Sequence, residues 1–545
     1  MSGEGTAPGV GLAMAGALLA AACGGGAPSP PAASPVPAAR PWILLVTLDT
    51  TRADAIGPEA RGIRTAAFDA VAARGRSFRH AYATVPETLP SHASIMTGLY
   101  PAGHGVHQNA VPLAATHAVL AEKLHAAGYR TAAFVSSFVL ARRFGLARGF
   151  DVYDDDLPPG RAERAAADTT ERALALLGGH TGAPLFLWVH YFDPHAPYEP
   201  PEPFRGRFPG RPYLGEVAAM DEQLGRLVQA FARQAGTASA VAITADHGEG
   251  LGDHGENQHG HLLFQSTMRV PLVLAGAGIS PGAVETPVST RRLFHTILDW
   301  AGHPSADSLR TAAPEVVLGE AMKPFLAYGW QPQVMAVEGR HKAIRAGTVE
   351  AYDVVADPGE TRDLGDAPLS RAVRTALLDY PAPSLGKATA ALGEEERRQL
   401  ASLGYVNAGA APVVRTDAPR PAAMAGLFDL LEKASFVFVR EEYAAVVPLL
   451  QRILSADPHN LDATLRLATA YSALGQGARA EAMFDKAAAL APQSPDVRAY
   501  RALHVARGRD WARAAPLLEG GADGTGALGQ VARFAAAQVR ERQRQ

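Results

Sequence analysis

The sequence predicts an α/β protein with a largely parallel sheet flanked by helices, a small C-terminal sheet subdomain, and an all-α solenoid at the end. Three continuous apolar runs carry this prediction, at residues 43–48, 184–190 and 240–245. Runs of this length are typical of strands that are covered on both faces. Helical patterns separate the runs over residues 41–300, and this alternation indicates βαβ units.

The composition bounds the function classes. A chain of 545 residues suggests about three domains. Its apolar fraction of 47% supports a sizeable core, and its net charge of -3 gives no argument for nucleic-acid binding. The single cysteine, Cys23, excludes an intrachain disulfide.

The amino-terminal segment is typical of an exported protein. Its apolar run, residues 10–22, is too short to span a bilayer but suits a signal-peptide core. The run ends in three alanines, and Cys23 and three glycines follow it. This arrangement resembles a bacterial lipoprotein processing site, in which Cys23 would be lipidated. Residues 1–9 hold no Lys or Arg, so a soluble secreted form or an uncleaved anchor stays open. We expect a signal peptide at 1–22, a Pro/Ala tether at 23–40, and a place at the cell envelope with a lipid anchor as the one membrane contact.

Further elements follow along the chain. Periodicity predicts helices at 65–74, 116–127 and 213–235, and a strand at 130–135. The acidic stretch 151–156 lacks the alternating spacing of a calcium loop and is predicted to be a solvated turn. Segments 339–345 and 350–360 predict two strands of a subdomain at 301–375, and 376–425 is a linker with a helical patch at 394–403.

The last hundred residues match a tetratricopeptide pattern. One 34-residue period runs from Pro458 to Pro492. The matching positions inside it are Leu467, Ala468, Tyr471, Ala480, Phe484 and Ala487. We expect repeats at 426–528, a C-terminal helix or tail at 529–545, and a protein or peptide partner on the arm; an ordinary helical hairpin is the alternative.

Residues 87–105 read as a nucleophile loop. Thr88 precedes Pro90, which suits a first helical position, and residues 91–96 can continue the helix. Free backbone N–H groups and the positive end of the helix dipole would then lie near the Thr88 hydroxyl, where an anion binds well. The alternative is a surface helix that Thr88 merely caps.

Three predicted strands end in polar residues. Asp49 follows the first, Asp193 and His195 follow the second, and Asp246 with His247 follows the third. Ligands gather at the carboxyl ends of strands in such sheets. Two carboxylates, an imidazole and the Thr88 hydroxyl suit one divalent cation: Ca²⁺ or Mg²⁺ if oxygen dominates, and Mn²⁺ or Zn²⁺ if the imidazole does. Of these we favour Ca²⁺ or Mn²⁺.

The motifs together resemble the sulfatase family of the alkaline phosphatase superfamily, over residues 42–364. The resemblance lies in Thr47-Leu-Asp49-Thr-Thr-Arg, Thr88-Leu-Pro-Ser-His-Ala-Ser-Ile-Met-Thr-Gly98, His104-Gly-Val, Asp193-Pro-His-Ala-Pro-Tyr, Asp246-His-Gly-Glu and Tyr352-Asp-Val-Val-Ala-Asp-Pro-Gly-Glu. It implies a metal-dependent ester hydrolase or transferase in which Asp49, Asp246 and His247 hold the metal with Thr88, the nucleophile.

The resemblance also implies roles for other polar residues. His195 would contact the substrate oxyanion or the leaving group, and Asn109 would contact non-bridging oxygens. His259 would be a second cationic group where relatives often place a lysine, with His261 as its rival. His92 stands where sulfatases have an arginine, and we expect it to contact substrate.

The nucleophile departs from the family pattern. True sulfatases oxidise a Cys or Ser to formylglycine, whereas threonine would give a ketone, so we expect no formylglycine. The sequence then favours phosphate mono- or diesters and a covalent phosphothreonine. The alternatives are a sulfatase that uses unmodified Thr88, a two-metal site that also recruits Asp193, His195 and His259, and a degenerate envelope scaffold acting through its repeats.

Overall fold

The computed structural model describes residues 40–311, 313–383, 399 and 413–518. The predicted signal peptide, all of the tether but residue 40, Cys23, nearly all of the helical patch at 394–403 and the predicted tail lie outside the described residues. Within the described part of the chain, no helix is both long and apolar enough to cross a membrane.

Fifteen strands are seen in the described residues. They are β1 Trp42–Leu48, β2 Arg76–Phe78, β3 Ala81–Tyr82, β4 Arg130–Phe134, β5 Val152–Asp154, β6 Leu185–Tyr191, β7 Ser239–Ala245, β8 Arg269–Val270, β9 Leu272–Gly276, β10 Gly282–Val284, β11 Val288–Ser289, β12 Val317–Ala321, β13 Gln333–Glu338, β14 His341–Ala346 and β15 Thr348–Asp353.

The α-helices of the same residues fall into two groups. The first group is α1 Ala66–Arg74, α2 Thr88–Thr97, α3 Pro101–His104, α4 Leu120–Ala126, α5 Ala166–Gly179, α6 Phe204–Arg207, α7 Pro212–Ala235, α8 Gln265–Met268, α9 Leu293–Trp300, α10 Lys323–Tyr328 and α11 Arg371–Asp379. The second group is α12 Phe428–Val439, α13 Tyr443–Ala456, α14 Leu461–Ala473, α15 Gly477–Leu490, α16 Pro495–Arg507 and α17 Trp511–Leu518.

An eight-stranded sheet forms the centre of the predicted catalytic domain, in the order β10-β2-β9-β7-β1-β6-β4-β5. Strands β7, β1, β6, β4 and β5 run parallel to one another, and β9 is antiparallel to both β7 and β2. The three apolar runs are therefore confirmed as adjacent strands β6, β1 and β7. Because β1 lies between the other two, the residues that follow these strands meet at one edge of the sheet.

The predicted helices and strands are found with small shifts in their ends. Helix α2 begins at Thr88 itself, so Pro90 takes the third helical position rather than the first. Helix α4 begins at Leu120 rather than at residue 116. The predicted acidic turn was wrong in part: Val152–Asp154 is the edge strand β5. Ion pairs stabilise it, because Asp154 accepts from both Arg164 and Arg172.

A four-stranded antiparallel sheet, β12-β13-β14-β15, forms the predicted C-terminal subdomain. The two predicted strands are β14 and β15, and the sequence analysis missed β12 and β13. Lys342 of β14 lies 2.7 Å from Glu360, with both side chains buried. Glu360 also accepts the backbone N–H of Gln265. The motif that ends in Glu360 therefore ties the small sheet to the catalytic domain.

The C-terminal helices confirm the repeat pattern. Every matching position named above is buried, those of the first helix in α14 and those of the second in α15. Helix α14 is capped by Asn460, whose side chain accepts from the N–H of Ala463. These small and aromatic residues let the two helices of the repeat pack closely.

We predict that Lys342→Met lowers the free energy of unfolding by about 3–5 kcal/mol, because it leaves the Glu360 carboxylate buried without its partner. Urea denaturation followed by circular dichroism measures the change. Arg340→Met is the matched control, since Arg340 is half exposed in its ion pair with Asp353, the last residue of β15, and its loss should change little. Equal stability of Lys342→Met and the native protein would contradict the prediction.

Candidate active site

Two strand ends and one helix start bring four predicted residues together. Asp49 follows β1, Asp246 and His247 follow β7, and Thr88 opens α2. Nε2 of His247 lies 3.4 Å from Oγ1 of Thr88, 3.7 Å from Oδ1 of Asp49 and 3.6 Å from Oδ2 of Asp246. All four residues are at most 1% exposed. The hydroxyl, the imidazole and both carboxylates thus face one small buried space.

The carboxylates of this group fit a cation. One ligand atom each from Asp49, Asp246 and His247 lie within 4.8 Å of one another. Both oxygens of Asp49 and Oδ2 of Asp246 are buried and accept no hydrogen bond of ordinary geometry from the described residues. Burial raises the pKa of both acids well above the usual range, helped by Glu249 for Asp49 and by Asp49 for Asp246. Buried carboxylates without partners are costly, and a divalent cation offsets that cost.

The tautomer of His247 suits the same ion. Its Nδ1 lies 2.9 Å from the carbonyl oxygen of Gly248, which can only accept, so Nδ1 carries the hydrogen. Nε2 then presents a lone pair toward Asp49 and Asp246. Metal-binding histidines are commonly oriented in this way through their second nitrogen.

His92 is predicted to contact substrate, and in the structure its ring lies between the backbone of Thr88 and strand β1. Its Nδ1 donates to the carbonyl oxygen of Thr88 at 2.7 Å, and its Nε2 lies 2.9 Å from the hydroxyl of Thr47. The ring is fully buried, and Nδ1 is also 3.6 Å from Oδ2 of Asp246. Both nitrogens are therefore engaged inside the protein, where they hold the first turn of α2 against β1.

His190, His92 and Asp246 form a second cluster that could hold an ion by distance alone. The hydrogen positions argue against it. Nδ1 of His190 accepts the N–H of Ser136, which leaves the hydrogen on Nε2, 3.4 Å from Asp49. A ring nitrogen that carries a hydrogen has no lone pair for an ion, so His190 faces Asp49 as an N–H group. The geometry favours one cation site.

Two further histidines lie next to the three candidate cation ligands Asp49, Asp246 and His247. The ring of His259 is 4.4 Å from that of His247 and 5.2 Å from that of His195, centroid to centroid. Nδ1 of His259 donates to Glu249 at 2.9 Å, and Nδ1 of His195 donates to the carbonyl of Ala196 at 2.7 Å. Burial lowers the pKa of His195 to about 4 and that of His259 to about 3. Burial therefore disfavours the cationic form that is predicted for His259.

Asn109 supports the start of α2. Its Oδ1 accepts the N–H of Leu89 at 2.8 Å, and its buried Nδ2 has no partner among the described residues. An unpartnered buried N–H group is costly, so this donor suits the predicted contact with substrate oxygens.

The remaining predicted residues lie around the cluster rather than in it. Oδ2 of Asp193 accepts the N–H of Ala166 at the start of α5 at 2.8 Å, which weakens the two-metal alternative. The backbone N–H of His261 donates to Glu256 at 2.8 Å. The His261 ring stacks on Phe428 of α12, with centroids 4.4 Å apart.

Several further residues of the site are not predicted by the sequence. Glu249 orients His259 and accepts the hydroxyl hydrogen of Tyr198 at 2.8 Å. It stands two residues after His247 in the quoted motif, a signal that could have identified it. Glu87 is buried directly before Thr88, and burial raises its pKa to about 7. Lys323 also lies near the site, but it is far from every motif in the sequence.

Comparisons with known proteins agree with this architecture. Residues 41–303 match the Sulfatase family model, and residues 440–503 match a tetratricopeptide-repeat model. The multifunctional alkaline phosphatase superfamily protein PehA of Trinickia caryophylli is 26% identical over 411 residues, which cover 53% of this chain and 77% of that protein. Choline-sulfatase of Rhizobium meliloti is 29% identical over 189 residues, 32% of this chain and 36% of that protein.

A solved structure shows the same fold. The phosphonate monoester hydrolase of Agrobacterium radiobacter aligns with a TM-score of 0.51 and 21% identity, covering 63% of this chain and 94% of that chain. The match to the Sulfatase family model and the candidate cation site thus make residues 41–303 a sulfatase-type hydrolase domain. More specifically, this sulfatase-family domain is followed by a tetratricopeptide repeat at residues 440–503.

We predict that Asp49→Asn abolishes stabilisation by added divalent cations while leaving the cation-free protein as stable as the native one, or more so. The reason is that the substitution removes a buried carboxylate whose oxygens accept no hydrogen bond of ordinary geometry from the described residues. Thermal melting with chelator, and with a series of divalent cations, measures both effects; the native protein should gain about 2.7 kcal/mol at 100 times the dissociation constant.

Asp193→Asn is the control for this experiment, because Asp193 caps α5 outside the cluster and should keep the cation-dependent rise in melting temperature. A full cation-dependent rise in Asp49→Asn would contradict the assignment.

Proposed function

We propose that the protein is an exported, metal-dependent hydrolase or transferase of phosphate mono- or diesters that uses Thr88 as its nucleophile. The single observation that carries this proposal is the position of Oγ1 of Thr88, 3.4 Å from Nε2 of His247 at the start of α2. A hydroxyl beside a cation cluster and a helix start is placed to attack an anionic ester.

The residues of the site divide the task. Asp49, Asp246 and His247 would hold the cation with Thr88, and a bound divalent cation lowers the pKa of a hydroxyl and neutralises an oxyanion. Our candidates remain Ca²⁺, Mg²⁺, Mn²⁺ and Zn²⁺, with Ca²⁺ or Mn²⁺ favoured by the mixed oxygen and nitrogen ligands. His92 keeps the first turn of α2 in place through the Thr88 carbonyl.

One donor and two imidazoles are available to the substrate. Nδ2 of Asn109 is buried and would donate to a non-bridging oxygen. His195 and His259 keep their hydrogens on Nδ1, which donates to the carbonyl of Ala196 and to Glu249, so each ring presents a lone pair on Nε2. One of these nitrogens would take up the proton that Thr88 loses and pass it to the departing oxygen.

The chemistry of threonine favours phosphate. Attack by Oγ1 forms a bond to phosphorus as the bond to the leaving oxygen breaks, and the proton that the Thr88 hydroxyl loses passes to the departing alkoxide. Water, or an acceptor alcohol, then attacks phosphorus, the bond to Oγ1 breaks, and the proton of the attacking hydroxyl returns to Thr88. A sulfated threonine has no second hydroxyl through which to eliminate sulfate, whereas the hydrate of formylglycine has one.

A sulfatase that uses unmodified Thr88 is the second candidate. The family model and the likeness to choline-sulfatase favour it. Both candidates need the same nucleophile and cation cluster, and they differ in the central atom of the ester. A degenerate scaffold is less favoured, because the tautomer of His247 and the buried carboxylates are already arranged for an ion.

The location and the partner are also proposals. The apolar run before Cys23 supports export and lipidation, and with them a place at the bacterial cell envelope. The tetratricopeptide repeat supports a protein or peptide partner.

We predict that Thr88→Ala lowers turnover of aryl phosphates and phosphodiesters by at least about 10³-fold, because no other group can form the covalent intermediate. Thr97→Ala is a matched control in the same helix, where the hydroxyl bonds to Ala93. Acid quench and mass spectrometry of the native enzyme should detect phosphate on Thr88.

Unchanged turnover of every ester by Thr88→Ala would refute the proposal. Faster turnover of aryl sulfate than of the matched aryl phosphate, lost in Thr88→Ala, would replace it with the sulfatase candidate.

A further inference from the structure

The repeat arm contacts the loop that carries His259. Helix α12 begins the arm, and its Phe428 stacks on His261 with ring centroids 4.4 Å apart and planes 16° from parallel. Before His261 in the same loop, Nδ2 of Asn257 donates to Oδ2 of Asp429, the residue after Phe428, at 2.7 Å. The segment from Asn257 to His261 is therefore packed against α12 on both sides of His259.

A second contact fixes the arm on the catalytic domain. The indole Nε1 of Trp330 donates to Oδ2 of Asp457 at 2.8 Å, with both side chains buried. Helix α14 contacts α13, α15 and α16 on the arm side and α10 on the catalytic side. Eleven of its thirteen residues are buried as a result. One surface of the repeat is thus covered by this chain's own catalytic domain.

Helix α10 brings Lys323 to the site at this contact. Nζ of Lys323 lies 3.3 Å from the point that a Cβ on Gly260 would occupy, and Cγ of Glu87 lies 3.5 Å from the same point. Gly260 directly follows His259, and Glu87 directly precedes Thr88. The ammonium group therefore lies between the loop of His259 and the start of α2.

Glu432 of α12 shares this region. Burial raises the pKa of Glu432, while the charge of Lys323 and a hydrogen bond with Gln258 oppose the rise. Glu432 in α12 and Lys323 in α10 thus belong to the two sides of the contact between the arm and the catalytic domain.

We propose that α12 forms one wall of the substrate pocket and that Lys323, packed against that wall, is the cationic contact for the anionic group of the substrate. This inference rests on the proposed function, because it concerns the same ester. An ammonium group suits this role, since it offers a full charge and three donors. It also gives the arm a task in substrate binding beyond any partner.

The test measures the affinity of inorganic phosphate for the full-length, cation-loaded protein by calorimetry, in the Thr88→Ala background. Lys323→Gln should bind phosphate about 10-fold more weakly than the parent, since one charge-assisted contact is lost. Lys323→Glu should bind still more weakly. Lys433→Glu is the matched control, because Lys433 is the exposed neighbour of Glu432 on α12, and it should bind as the parent does.

A charge exchange tests the arm itself. Adding Glu432→Lys to Lys323→Glu should restore phosphate affinity to within about 3-fold of the parent, because the arm then supplies the ammonium to the same space. Affinity within 2-fold of the parent in Lys323→Gln, or no recovery in the exchange, would overturn the inference. Phosphate binding requires no turnover, so these results stand apart from the test of Thr88 as nucleophile.

Discussion

Three buried carboxylate oxygens that accept no hydrogen bond of ordinary geometry from the described residues constrain the whole site. They belong to Asp49 and Asp246, which follow neighbouring strands of the central sheet. A divalent cation would offset the cost of burying two carboxylates this closely. The surrounding histidines differ in what they present to this space. His247 presents a lone pair on Nε2, because its hydrogen is on Nδ1. Both nitrogens of His92 are hydrogen-bonded within the protein, and His190 presents an N–H group to Asp49.

Much of the fold follows from the sequence, because its strongest signals are local. The apolar runs that became β1, β6 and β7 predicted a parallel sheet, and the acids directly after β1 and β7 predicted a site at its edge. Asp49, Thr88, Asp246 and His247 meet as expected. The edge strand β5 was read as a turn because its stability comes from Arg164 and Arg172, which lie outside the stretch.

The finer features of the site could not be read from the chain. Which nitrogen of His92 or His190 carries a hydrogen depends on backbone groups that only the fold brings near. His259 stands at a position typical of a cation, yet burial lowers the pKa of its imidazole. The cationic contact that we propose, Lys323, belongs to a helix far along the sequence and packs beside the repeat arm. The family motif therefore predicted where the site lies, whereas tertiary packing shifts the pKa values of its side chains.

The position of the cation tests this account most directly. Anomalous diffraction from a crystal soaked in Mn²⁺ would show one ion bound by Asp49, Asp246 and His247, with Oγ1 of Thr88 beside it, if the account is correct. An ion bound between His92 and His190, or two ions of equal occupancy, would contradict both the assignment of the hydrogens and the single-cation site.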